Sequence, residues 1–509
     1  MTIEPPERRN IGNIASLFLD ARLREGRGDR PALLTDSRNW SYAEIHALAN
    51  RYGNLLAAAG ADPEDRIMIA LPDGPDYVGA LFGTLKLGAV VVMVNPSLPA
   101  ADVAALLDYT RARLIVAPAE SAAPFHEAAH GSRVTRGVIE VGSPDFERKL
   151  AATSVELETF PSHPDDPAIW LFSGGTTGRP KAVIQSHRSF AFTTEKYGLG
   201  VLGYTDREIT ISVPKLYFGY ATGSNLFFTF AAGGASVLFP EPVTAEILFE
   251  KISRHRATVL VNVPTMIQKM VSHPRAASGD LATLRLSTSA GEALPVELYD
   301  RWKAVFGVEL LDGLGTAEMW HIFISNRPGA VKPGTLGTVV PGFEIKACDE
   351  EGQELPRGDV GWLWVRGGAR AIAYWQEQEK TEQAFRGEWY VSGDLIAIDA
   401  DGIVSYHGRG DEMLKVGGKW LAPQEVEGCL LLHPAVAEAA VIGLADANGL
   451  MKPVARVVAR ERRDGLEEEL KQFVMERLAP YKHPREITFV DSLPRTHLGK
   501  VDRGKLRRG

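Results

Sequence analysis

Short β-branched runs alternate with longer segments of helical period over about residues 11–340. Several runs are apolar on both faces, which is typical of strands buried between two layers of helices. They lie at 66–71, 90–94, 114–117, 168–172, 209–213 and 258–263. Because strands that alternate with helices build parallel sheets, the pattern predicts an α/β fold with helix-covered parallel sheets.

A different pattern begins after Pro341. Short apolar runs are separated by polar turn clusters, and the runs lie at 343–347, 362–365 and 403–406. Such spacing predicts antiparallel hairpins. We therefore expect an antiparallel β barrel-like subdomain over about 342–410.

The last hundred residues form a third pattern. A predicted helix at 466–478 lies among predicted strands at 439–442, 454–459 and 487–490, which indicates a small α+β domain. We therefore predict an N-terminal domain over 1–410, including the β-rich part, and a C-terminal domain over 411–509.

Charge and composition narrow the choice of partners. The chain has 64 acidic and 56 basic residues, so its net charge of −8 provides no overall positive field for nucleic acid or an anionic membrane. Its best apolar run, 81–94, is interrupted by Lys86 and is shorter than the roughly 20 residues of a membrane span. We expect small-molecule partners, with neither nucleic acid nor membrane.

The cysteines and the N-terminus predict a cytoplasmic location. Cys348 and Cys429 lie far apart without metal-ligand or redox spacing, which favours a reducing compartment. Residues 1–10 are charged and lack the apolar core of a secretory signal.

A glycine-rich segment follows the predicted strand at 168–172 and reads Ser173-Gly174-Gly175-Thr176-Thr177-Gly178-Arg179-Pro180-Lys181. Its glycines let backbone N–H groups approach an oxyanion, and its hydroxyls and Lys181 add donors. A Walker A loop would open a helix, whereas an apolar strand at 182–185 follows here. We interpret the segment as a phosphate-binding flap between two strands, and a flexible surface hairpin is the alternative.

The chain resembles the adenylate-forming superfamily of acyl-CoA synthetases, adenylation domains of peptide synthetases and luciferases. The resemblance extends nearly end to end and rests on the glycine-rich segment and on Ser289-Ala290-Gly291-Glu292-Ala293-Leu294-Pro295, Asp312-Gly313-Leu314-Gly315-Thr316-Ala317-Glu318, Ser392-Gly393-Asp394, Gly408-Arg409-Gly410-Asp411 and Pro494-Arg495-Thr496-His497-Leu498-Gly499-Lys500. Other stretches resemble the benzoate-CoA ligase branch, namely 215–220, 318–327 and 416–420.

This resemblance implies that ATP and Mg²⁺ convert a carboxylate into a mixed anhydride with AMP. Two anions meet in that step, so cations and hydrogen-bond donors are required. By resemblance, Lys500 reaches the carboxylate and the α-phosphate, and Glu318 holds Mg²⁺. Thr176 and Lys181 complete the implied catalytic set by steadying the pyrophosphate.

The resemblance also implies a set of ATP-binding residues. Asp394 suits the two ribose hydroxyls because a carboxylate only accepts hydrogen bonds, and Arg409 assists at the ribose or phosphate. The full set is Ser173, Gly174, Gly175, Thr176, Thr177, Gly178, Lys181, Gly291, Glu292, Ala293, Asp312, Gly313, Thr316, Asp394, Arg409 and Lys500, in which Gly291 to Ala293, Asp312 and Gly313 line the adenine.

Each of these assignments has an alternative from the residues alone. Lys500 lies in a basic segment that fits a solvated tail, Glu318 fits an ordinary loop acid, and Asp394 fits a plain turn. Ala317 occupies a position where the family usually has a threonine, so a phosphate hydroxyl is either lost or supplied by Thr316.

Transfer to coenzyme A requires a second arrangement. In the family the small domain rotates about a hinge, which corresponds to Asp411 here. Val416, Gly417 and Gly418 then line the CoA tunnel in place of Lys500, although a simple turn also explains the glycines.

The resemblance places an acid pocket among aromatic residues, which suit a flat ring. Its implied members are Phe218, Tyr220, Ala221, Gly223, His321 and Ile322. Core packing, or a hydrogen-bonded structural histidine, is the alternative. Many relatives in the family carry a histidine at the position of Phe218. The benzoate branch also lacks that histidine, so its absence here favours an aromatic acid.

Three functions follow as hypotheses. The first is an AMP-forming aryl-CoA ligase that uses ATP and coenzyme A. The second loads an aryl acid onto the phosphopantetheine of a carrier protein, and the third is a nucleotide-binding protein without turnover. Thioester formation with CoA alone separates the first two.

Overall fold

The computed structural model describes residues 12–173, 180–416, 419–445, 451–495 and 501–508. Up to residue 340 its strands are β1 (Pro31–Leu34), β2 (Asn39–Ser41), β3 (Arg66–Ile69), β4 (Val90–Met93), β5 (Leu114–Pro118), β6 (Gly137–Val141), β7 (Pro167–Ser173), β8 (Lys181–Ser186), β9 (Ile209–Ser212), β10 (Ala235–Val237), β11 (Val259–Asn262), β12 (Leu286–Ser289), β13 (Glu309–Gly315), β14 (Ile322–Ser325) and β15 (Thr338–Val339). Beyond residue 340 they are β16 (Glu344–Cys348), β17 (Val360–Arg366), β18 (Ala373–Tyr374), β19 (Phe385–Arg386), β20 (Trp389–Ile398), β21 (Val404–Arg409), β22 (Leu414–Val416), β23 (Lys419–Leu421), β24 (Val436–Ala445), β25 (Met451–Ala459) and β26 (Glu486–Phe489).

The helices cover the sheets and fill the connections between strands. They are α1 (Ala21–Arg24), α2 (Tyr42–Ala58), α3 (Pro75–Lys86), α4 (Ala100–Thr110), α5 (Ala123–His130), α6 (Pro144–Ala152), α7 (His187–Thr193), α8 (Gly219–Ala221), α9 (Phe228–Ala232), α10 (Ala245–His255), α11 (Pro264–Val271), α12 (Val296–Phe306), α13 (Gln378–Ala384), α14 (Pro423–Leu431), α15 (Leu466–Met475) and α16 (Arg503–Arg508). Short π-helical turns lie at Ser16–Asp20, Thr194–Leu199 and Thr222–Phe227, and 3₁₀ turns lie at Ala119–Ser121, Pro274–Ala277, Ala317–Met319 and Pro480–Lys482.

Two largely parallel sheets form the first part of the chain. The strand order of the larger sheet is β15–β14–β13–β12–β11–β9–β10–β1–β2, with β1 and β9 to β13 parallel and the pairs β1–β2, β13–β14 and β14–β15 antiparallel. The order of the other is β18–β8–β7–β4–β3–β5–β6, in which β8 and β18 are antiparallel. The predicted α/β fold is confirmed.

The β-rich part forms an antiparallel sheet in the order β16–β17–β20–β19, with β21 also paired to β20. This confirms the antiparallel pattern expected after Pro341. One strand within that range behaves differently, because β18 leaves the antiparallel sheet and pairs with β8 instead.

The C-terminal part has the predicted α+β composition. β24 and β25 pair antiparallel and β26 joins β25 in parallel, while β22 and β23 form a separate hairpin. Helices α14 and α15 pack on this sheet around Leu430, Leu470 and Val474, all fully buried. The helix expected at 466–478 is present as α15 and ends at Met475.

Helix α3 is buried along most of its length, which explains its nearly continuous apolar sequence. It crosses α2 so closely that a Cβ on Gly83 would lie 2.6 Å from the Ala49 carbonyl oxygen. Lys86, which interrupts the apolar run, is only 1% exposed, and its ammonium lies 2.6 Å from the Asp20 carboxylate. The lysine is tolerated in the core because its charge is paired there.

Candidate active site

A carboxylate and an ammonium group meet beside the ring of Tyr374. Glu318 lies on the 3₁₀ turn after β13 and is buried, and the Tyr374 hydroxyl donates to its Oε1 at 2.9 Å. The Lys181 ammonium lies 4.3 Å from the centroid of the same ring. Burial lowers the pKa of Lys181, and the Glu318 carboxylate opposes that shift. Tyr374 therefore holds both charged groups at one place.

The strands explain this convergence. β7 and β8 form an antiparallel hairpin in which Ser173 is paired with Lys181, so the glycine-rich segment connects their ends. β18 pairs with β8 and brings Tyr374 alongside. The Ser173 hydroxyl is a buried donor without a hydrogen-bond partner among the described residues. A buried unpaired hydroxyl beside a lysine can bind a phosphate oxygen.

The turn that carries Glu318 is held by hydrogen bonds on both sides. The Thr316 hydroxyl accepts the Met319 N–H at 3.3 Å, and the Gln185 side-chain amide donates to the Ala317 carbonyl at 2.7 Å. Trp320 follows with φ of 59°, a strained value for a bulky residue. Because the Thr316 oxygen only accepts here, its hydrogen remains available to a phosphate, whereas Ala317 has no hydroxyl to offer.

Asp394 is the centre of a second polar cluster. Its carboxylate accepts from the hydroxyls of Ser392 and Tyr406, the latter at 3.2 Å, and it is 4% exposed. Arg409 lies opposite Asp394 in the β20–β21 pair, with 3.8 Å between Nη1 and Oδ1. The Arg409 Nε also lies 3.2 Å from Asp411 Oδ1. The two flanking carboxylates raise the pKa of Arg409, so this side chain stays cationic.

A buried carboxyl lies at the carboxyl end of the parallel strands. Asp312 on β13 faces Ser289 on β12, and burial raises the Asp312 pKa to about 8, against the opposing influence of Ser289 and the Gly313 N–H. Its Oδ1 is buried without a hydrogen-bond partner in the described part of the chain. Such an atom can accept an exocyclic amine, as adenine offers.

Residues 291–293 are exposed beside this strand end. Gly291 has φ of 88°, in the left-handed region that favours glycine. The Glu292 carboxylate is already engaged, because it accepts from the Thr265 N–H at 3.0 Å and the Thr265 hydroxyl at 2.6 Å. Its side chain therefore caps the start of α11, and its backbone is the part available to a ligand.

Aromatic rings surround His321 next to β14. The Tyr220 and His321 ring centroids are 5.4 Å apart, and Phe228 packs on His321 at 4.8 Å. The Tyr220 hydroxyl is 2.6 Å from the Thr288 hydroxyl, and burial raises the pKa of Tyr220 well above its usual range. A Cβ on Gly223 would lie 2.4 Å from His321 Cδ2, so glycine permits this packing. The remaining members are partly buried Phe218 and buried Ala221 and Ile322.

The structure brings the described candidates together in groups. One group joins Lys181, Glu318 and Thr316 with Ser173 nearby, another joins Asp394, Arg409 and Asp411, and a third joins the pocket residues. Asp312 and Gly313 belong to the strand end beside Gly291 and Ala293. Val416 is buried in the β22–β23 hairpin. The candidates Gly174, Gly175, Thr176, Thr177, Gly178, Gly417, Gly418 and Lys500 lie outside the described residues.

Sequence reasoning missed several supporting residues. Tyr374 reaches Glu318 from a two-residue strand 56 positions away, and Tyr406 and Thr288 carry no motif of their own. Ser392 did have a signal, because it opens the Ser-Gly-Asp motif. The other contacts depend on strand pairing between distant segments.

Two features are absent from the described ranges. Groups of three or more His, Cys, Asp or Glu side chains arranged to hold a metal ion do not occur there. In the same part of the chain, none of the helices has the length and apolarity to cross a membrane.

Comparison with known proteins adds independent findings. The family described as AMP-binding enzyme matches residues 20–375, and its C-terminal domain matches 425–500. A benzoate–CoA ligase from Thauera aromatica is 38% identical over 99% of this chain and 97% of its own length. The crystal structure of the anthranilate CoA ligase AuaEII in complex with anthranoyl-AMP has 36% identity and a TM-score of 0.92, covering 97% of this chain and 96% of that one. A benzoate CoA ligase from Burkholderia xenovorans LB400 has 38% identity and a TM-score of 0.88, covering 97% and 99%.

Proposed function

Since the chain belongs to the AMP-binding enzyme family, we propose that it is an AMP-forming aryl-CoA ligase. It activates a benzoate-like aromatic acid with ATP to an acyl-adenylate and then transfers the acyl group to coenzyme A, releasing pyrophosphate and AMP. The observation that carries the proposal is the cluster of Lys181, Glu318 and Tyr374 at the end of the β7–β8 hairpin. This cluster supports the proposal because it brings a cation and an acid to the strand ends that the glycine-rich segment connects.

Adenylation depends on neutralising two anions that must meet. Lys181 and the hydroxyls of the glycine-rich segment bind the β- and γ-phosphates, which become the leaving pyrophosphate. Lys500 bridges the acid carboxylate and the α-phosphate. These cations act on charge that develops during the attack, so they lower the barrier and do more than tighten binding.

Glu318 fits the Mg²⁺ that would accompany ATP in the proposed reaction. Mg²⁺ is usually held by one or two carboxylates together with substrate phosphates and waters, so a single protein carboxylate is sufficient. The Tyr374 hydroxyl occupies Oε1 of Glu318 and fixes the side chain, which leaves Oε2 available to the ion. The metal supplies charge neutralisation on the phosphates.

The nucleoside is held by the two carboxyl groups of the other clusters. Asp394 accepts the ribose hydroxyls, and Ser392 and Tyr406 orient its oxygens. Arg409 supports Asp394 and reaches the ribose or the α-phosphate. Asp312 accepts the adenine amine through its unpaired Oδ1, beside the backbone of Gly291, Glu292 and Ala293.

The acid lies against Phe218, Tyr220, Ala221, Gly223, His321 and Ile322. Apolar and aromatic walls with few polar atoms suit a benzoate-like ring. A flat slot of this kind favours aryl acids over long alkyl chains.

Thioester formation uses a second arrangement of the C-terminal domain. We place the domain boundary between residues 410 and 411, with Asp411 as the hinge. Rotation removes Lys500 and brings Val416, Gly417 and Gly418 to the site, where the glycines leave room for the pantetheine arm.

Pyrophosphate release from ATP and Mg²⁺ tests the proposal across benzoate, hydroxy-, amino- and halobenzoates, cinnamate and medium-chain fatty acids, with and without CoA. We expect release that favours small aryl acids, with CoA consumed. Release without consumption of CoA would point to carrier-protein loading, and the absence of release with every acid would contradict the proposal.

A further inference from the structure

Leu216 is a fully buried residue in the loop between β9 and α8, which we call the 213–218 loop. Its backbone N–H and C=O belong to neither a strand nor a helix, and buried backbone groups need hydrogen-bond partners. The Asp73 carboxylate accepts the N–H at 2.8 Å. The Tyr77 hydroxyl donates to the carbonyl oxygen at 3.0 Å, and the Thr222 hydroxyl donates to the same oxygen. Side chains therefore hold both polar groups of this backbone.

Two of these side chains come from the other sheet. Asp73 lies between β3 and α3, and Tyr77 lies in the first turn of α3. β3 belongs to the smaller of the two parallel sheets, whereas β9 belongs to the larger one. Both segments follow the carboxyl ends of parallel strands, which form the edge where α/β sheets bind ligands. The two hydrogen bonds therefore join the ligand-binding edges of the two sheets.

These contacts lie in the interior of the protein. Leu216 and Tyr77 have no exposed surface, and Asp73 is 7% exposed. Loss of either side-chain group removes a partner from a backbone group that water does not readily reach, and an unsatisfied buried group is costly. The loop recovers a partner only by moving. Asp73 and Tyr77 therefore control the position of the 213–218 loop.

The start of the loop is fixed to its own sheet. The Lys215 ammonium donates to the Phe239 carbonyl oxygen at 2.7 Å, just after β10, and lies 4.1 Å from the centroid of the Phe239 ring. Lys215 is thus attached to the larger sheet, while the next residue, Leu216, is attached to the smaller one. The path of the chain beyond Leu216 therefore depends on how these two attachments are set.

The chain beyond Leu216 enters the proposed acid pocket. The pocket candidates that follow within five positions are Phe218, Tyr220 and Ala221. The Phe218 N–H donates to the Lys215 carbonyl oxygen at 2.9 Å, which closes a tight turn around Leu216. A shift of Leu216 is therefore passed directly to Phe218 and to the start of α8.

We propose that Asp73 and Tyr77 are positioning residues for the substrate acid, because together they fix the loop from which the acid pocket begins. They act through the backbone of Leu216. The inference rests on the proposed function, since it concerns the acid pocket of that same site. Loss of either hydrogen bond shifts the pocket wall and weakens binding of the acid, whereas the nucleotide candidates lie on other segments and keep their contacts.

A matched pair of tyrosine variants gives the first test. Tyr77→Phe removes only the hydroxyl that donates to Leu216. Tyr42→Phe removes an equally buried hydroxyl, which donates to the Gly234 carbonyl at 2.7 Å, outside the loop. We expect Tyr77→Phe to raise the KM for the aryl acid about threefold to tenfold, as for one hydrogen bond, with kcat and the KM for ATP unchanged. Tyr42→Phe should leave both KM values unchanged. All three constants are measured from pyrophosphate release.

The kinetic pattern separates positioning from stability. A variant that is only less stable contains fewer active molecules, which lowers kcat and leaves both KM values as they were. A rise in the KM for the acid alone indicates weaker binding of the acid. An unchanged KM for the acid in Tyr77→Phe, or an equal rise in the KM for the acid and for ATP, would overturn the inference.

A second pair of variants tests the contact made by Asp73. The amide oxygen of Asp73→Asn still accepts the Leu216 N–H, whereas Asp73→Ala removes the acceptor. We expect the Ala variant to raise the KM for the acid by about tenfold or more and the Asn variant to restore it to near the parent value. Equal KM values for the acid in the two variants would overturn the role of this hydrogen bond. The tyrosine pair decides the question if the Ala variant does not fold.

Failure of the inference can be distinguished from failure of the proposed function. If the unaltered protein releases no pyrophosphate with any aryl acid, both are wrong. If it is active and Tyr77→Phe has the same kinetic constants as Tyr42→Phe, the ligase proposal stands and the positioning role alone is wrong.

Discussion

Tyr374 performs two tasks with one side chain. Its hydroxyl orients Glu318, while its ring faces the Lys181 ammonium at a distance that allows a cation–π contact. A carboxylate and a lysine left without this spacer could approach each other and form an ion pair. In the proposed function, Tyr374 therefore keeps both charged groups available, Glu318 for Mg²⁺ and Lys181 for phosphate.

Replacing Tyr374 separates these tasks. In Tyr374→Phe the ring remains beside Lys181, but Glu318 loses the donor that fixes Oε1, so we expect adenylation to fall by roughly tenfold, as for one hydrogen bond to a charged group. Tyr374→Leu removes the ring as well, so we expect its rate of adenylation to fall further. The measurement is the rate of pyrophosphate release at saturating acid. A Phe variant as fast as the parent would show that Glu318 does not need this hydrogen bond.

Asp73 is a buried acid that joins the two sheets. It follows β3, and its carboxylate accepts the Leu216 N–H, 2.8 Å away, in the segment after β9. Burial raises its pKa from 3.8 to about 6, and the nearby Lys215 ammonium opposes the shift. Because the folded chain binds this proton more tightly than the unfolded chain, the contribution to stability is complete below about pH 4 and is lost as the pH rises through about 6.

Asp73→Asn should remove this pH dependence. An amide mimics the protonated acid and still accepts the Leu216 N–H, so we expect the free energy of unfolding of the variant, relative to the parent, to increase by about 2 kcal/mol between pH 4 and pH 7. Urea denaturation at a series of pH values measures the difference. A difference that is constant with pH would show that Asp73 does not titrate in this range.

At the scale of residues, a motif shows where in the chain a candidate side chain lies, while the roles implied for these side chains stay predictions. The strand expected at 182–185 after the glycine-rich segment is present as β8, which begins at Lys181. The partners Tyr374 and Thr288 have no motif, because their roles depend on which distant strands lie side by side. The sequence also could not show that the Glu292 carboxylate accepts hydrogen bonds from Thr265, because that contact depends on where α11 begins.

At the scale of elements, strand pairing decides where the candidates meet. β18 is two residues long and belongs in sequence to the antiparallel part, yet it pairs with β8 of the parallel sheet. The apolar pattern predicted most of the buried parallel strands within one or two residues of their ends, because such strands have continuous apolar runs. It missed β13 and the ten-residue β20, and β24 and β25 each begin three residues before their predicted starts. It could not predict β18, because two residues carry no periodicity.

The segment after β21 is the element on which the proposed domain rotation depends. The Gly410 N–H donates to the Gly393 carbonyl at 2.9 Å, so β21 is tied to β20 immediately before Asp411. The proposed rotation is therefore expected at Asp411 or beyond it. Because proline fixes φ, we expect Asp411→Pro to retain adenylation while blocking thioester formation.

Asp411→Ala is the matched control, because it removes the contact with Arg409 but leaves the backbone free. Pyrophosphate release and CoA consumption are measured separately for both variants. We expect the rates of both steps in the Ala variant to stay within a few-fold of the rates in the parent. Unchanged overall turnover in the Pro variant would exclude Asp411 as the hinge.

At the scale of the whole molecule, the proposed reaction has two half-reactions at one site. In this proposal the N-terminal sheets supply the acid pocket and most nucleotide contacts, and the C-terminal domain supplies Lys500 for one step and the 416–418 segment for the other. Composition and pattern predicted the α/β and α+β parts correctly. They could not predict the division of the parallel strands into two sheets, because the strands of both have the same apolar pattern.

Lys500→Ala tests whether the steps use different arrangements. We expect adenylation to fall by about 10²–10³, as for loss of one electrostatic donor to the transition state, while thioester formation from supplied acyl-adenylate is largely spared. Lys505→Ala is the control, since Lys505 is exposed and its distance to Asp502 is 3.9 Å. Ion pairs on the surface contribute little to stability, so we expect the rates of adenylation and thioester formation of this variant to match those of the parent. Equal losses in both steps for Lys500→Ala would refute the two arrangements.

The most direct test of the ligase account is the identity of the products. The protein is incubated with ATP, Mg²⁺, CoA and the best aryl acid, and the products are quantified by mass spectrometry. We predict equal amounts of aryl-CoA and AMP, with an aryl-adenylate accumulating when CoA is omitted. Formation of ADP, or of AMP without any thioester, would contradict an AMP-forming aryl-CoA ligase.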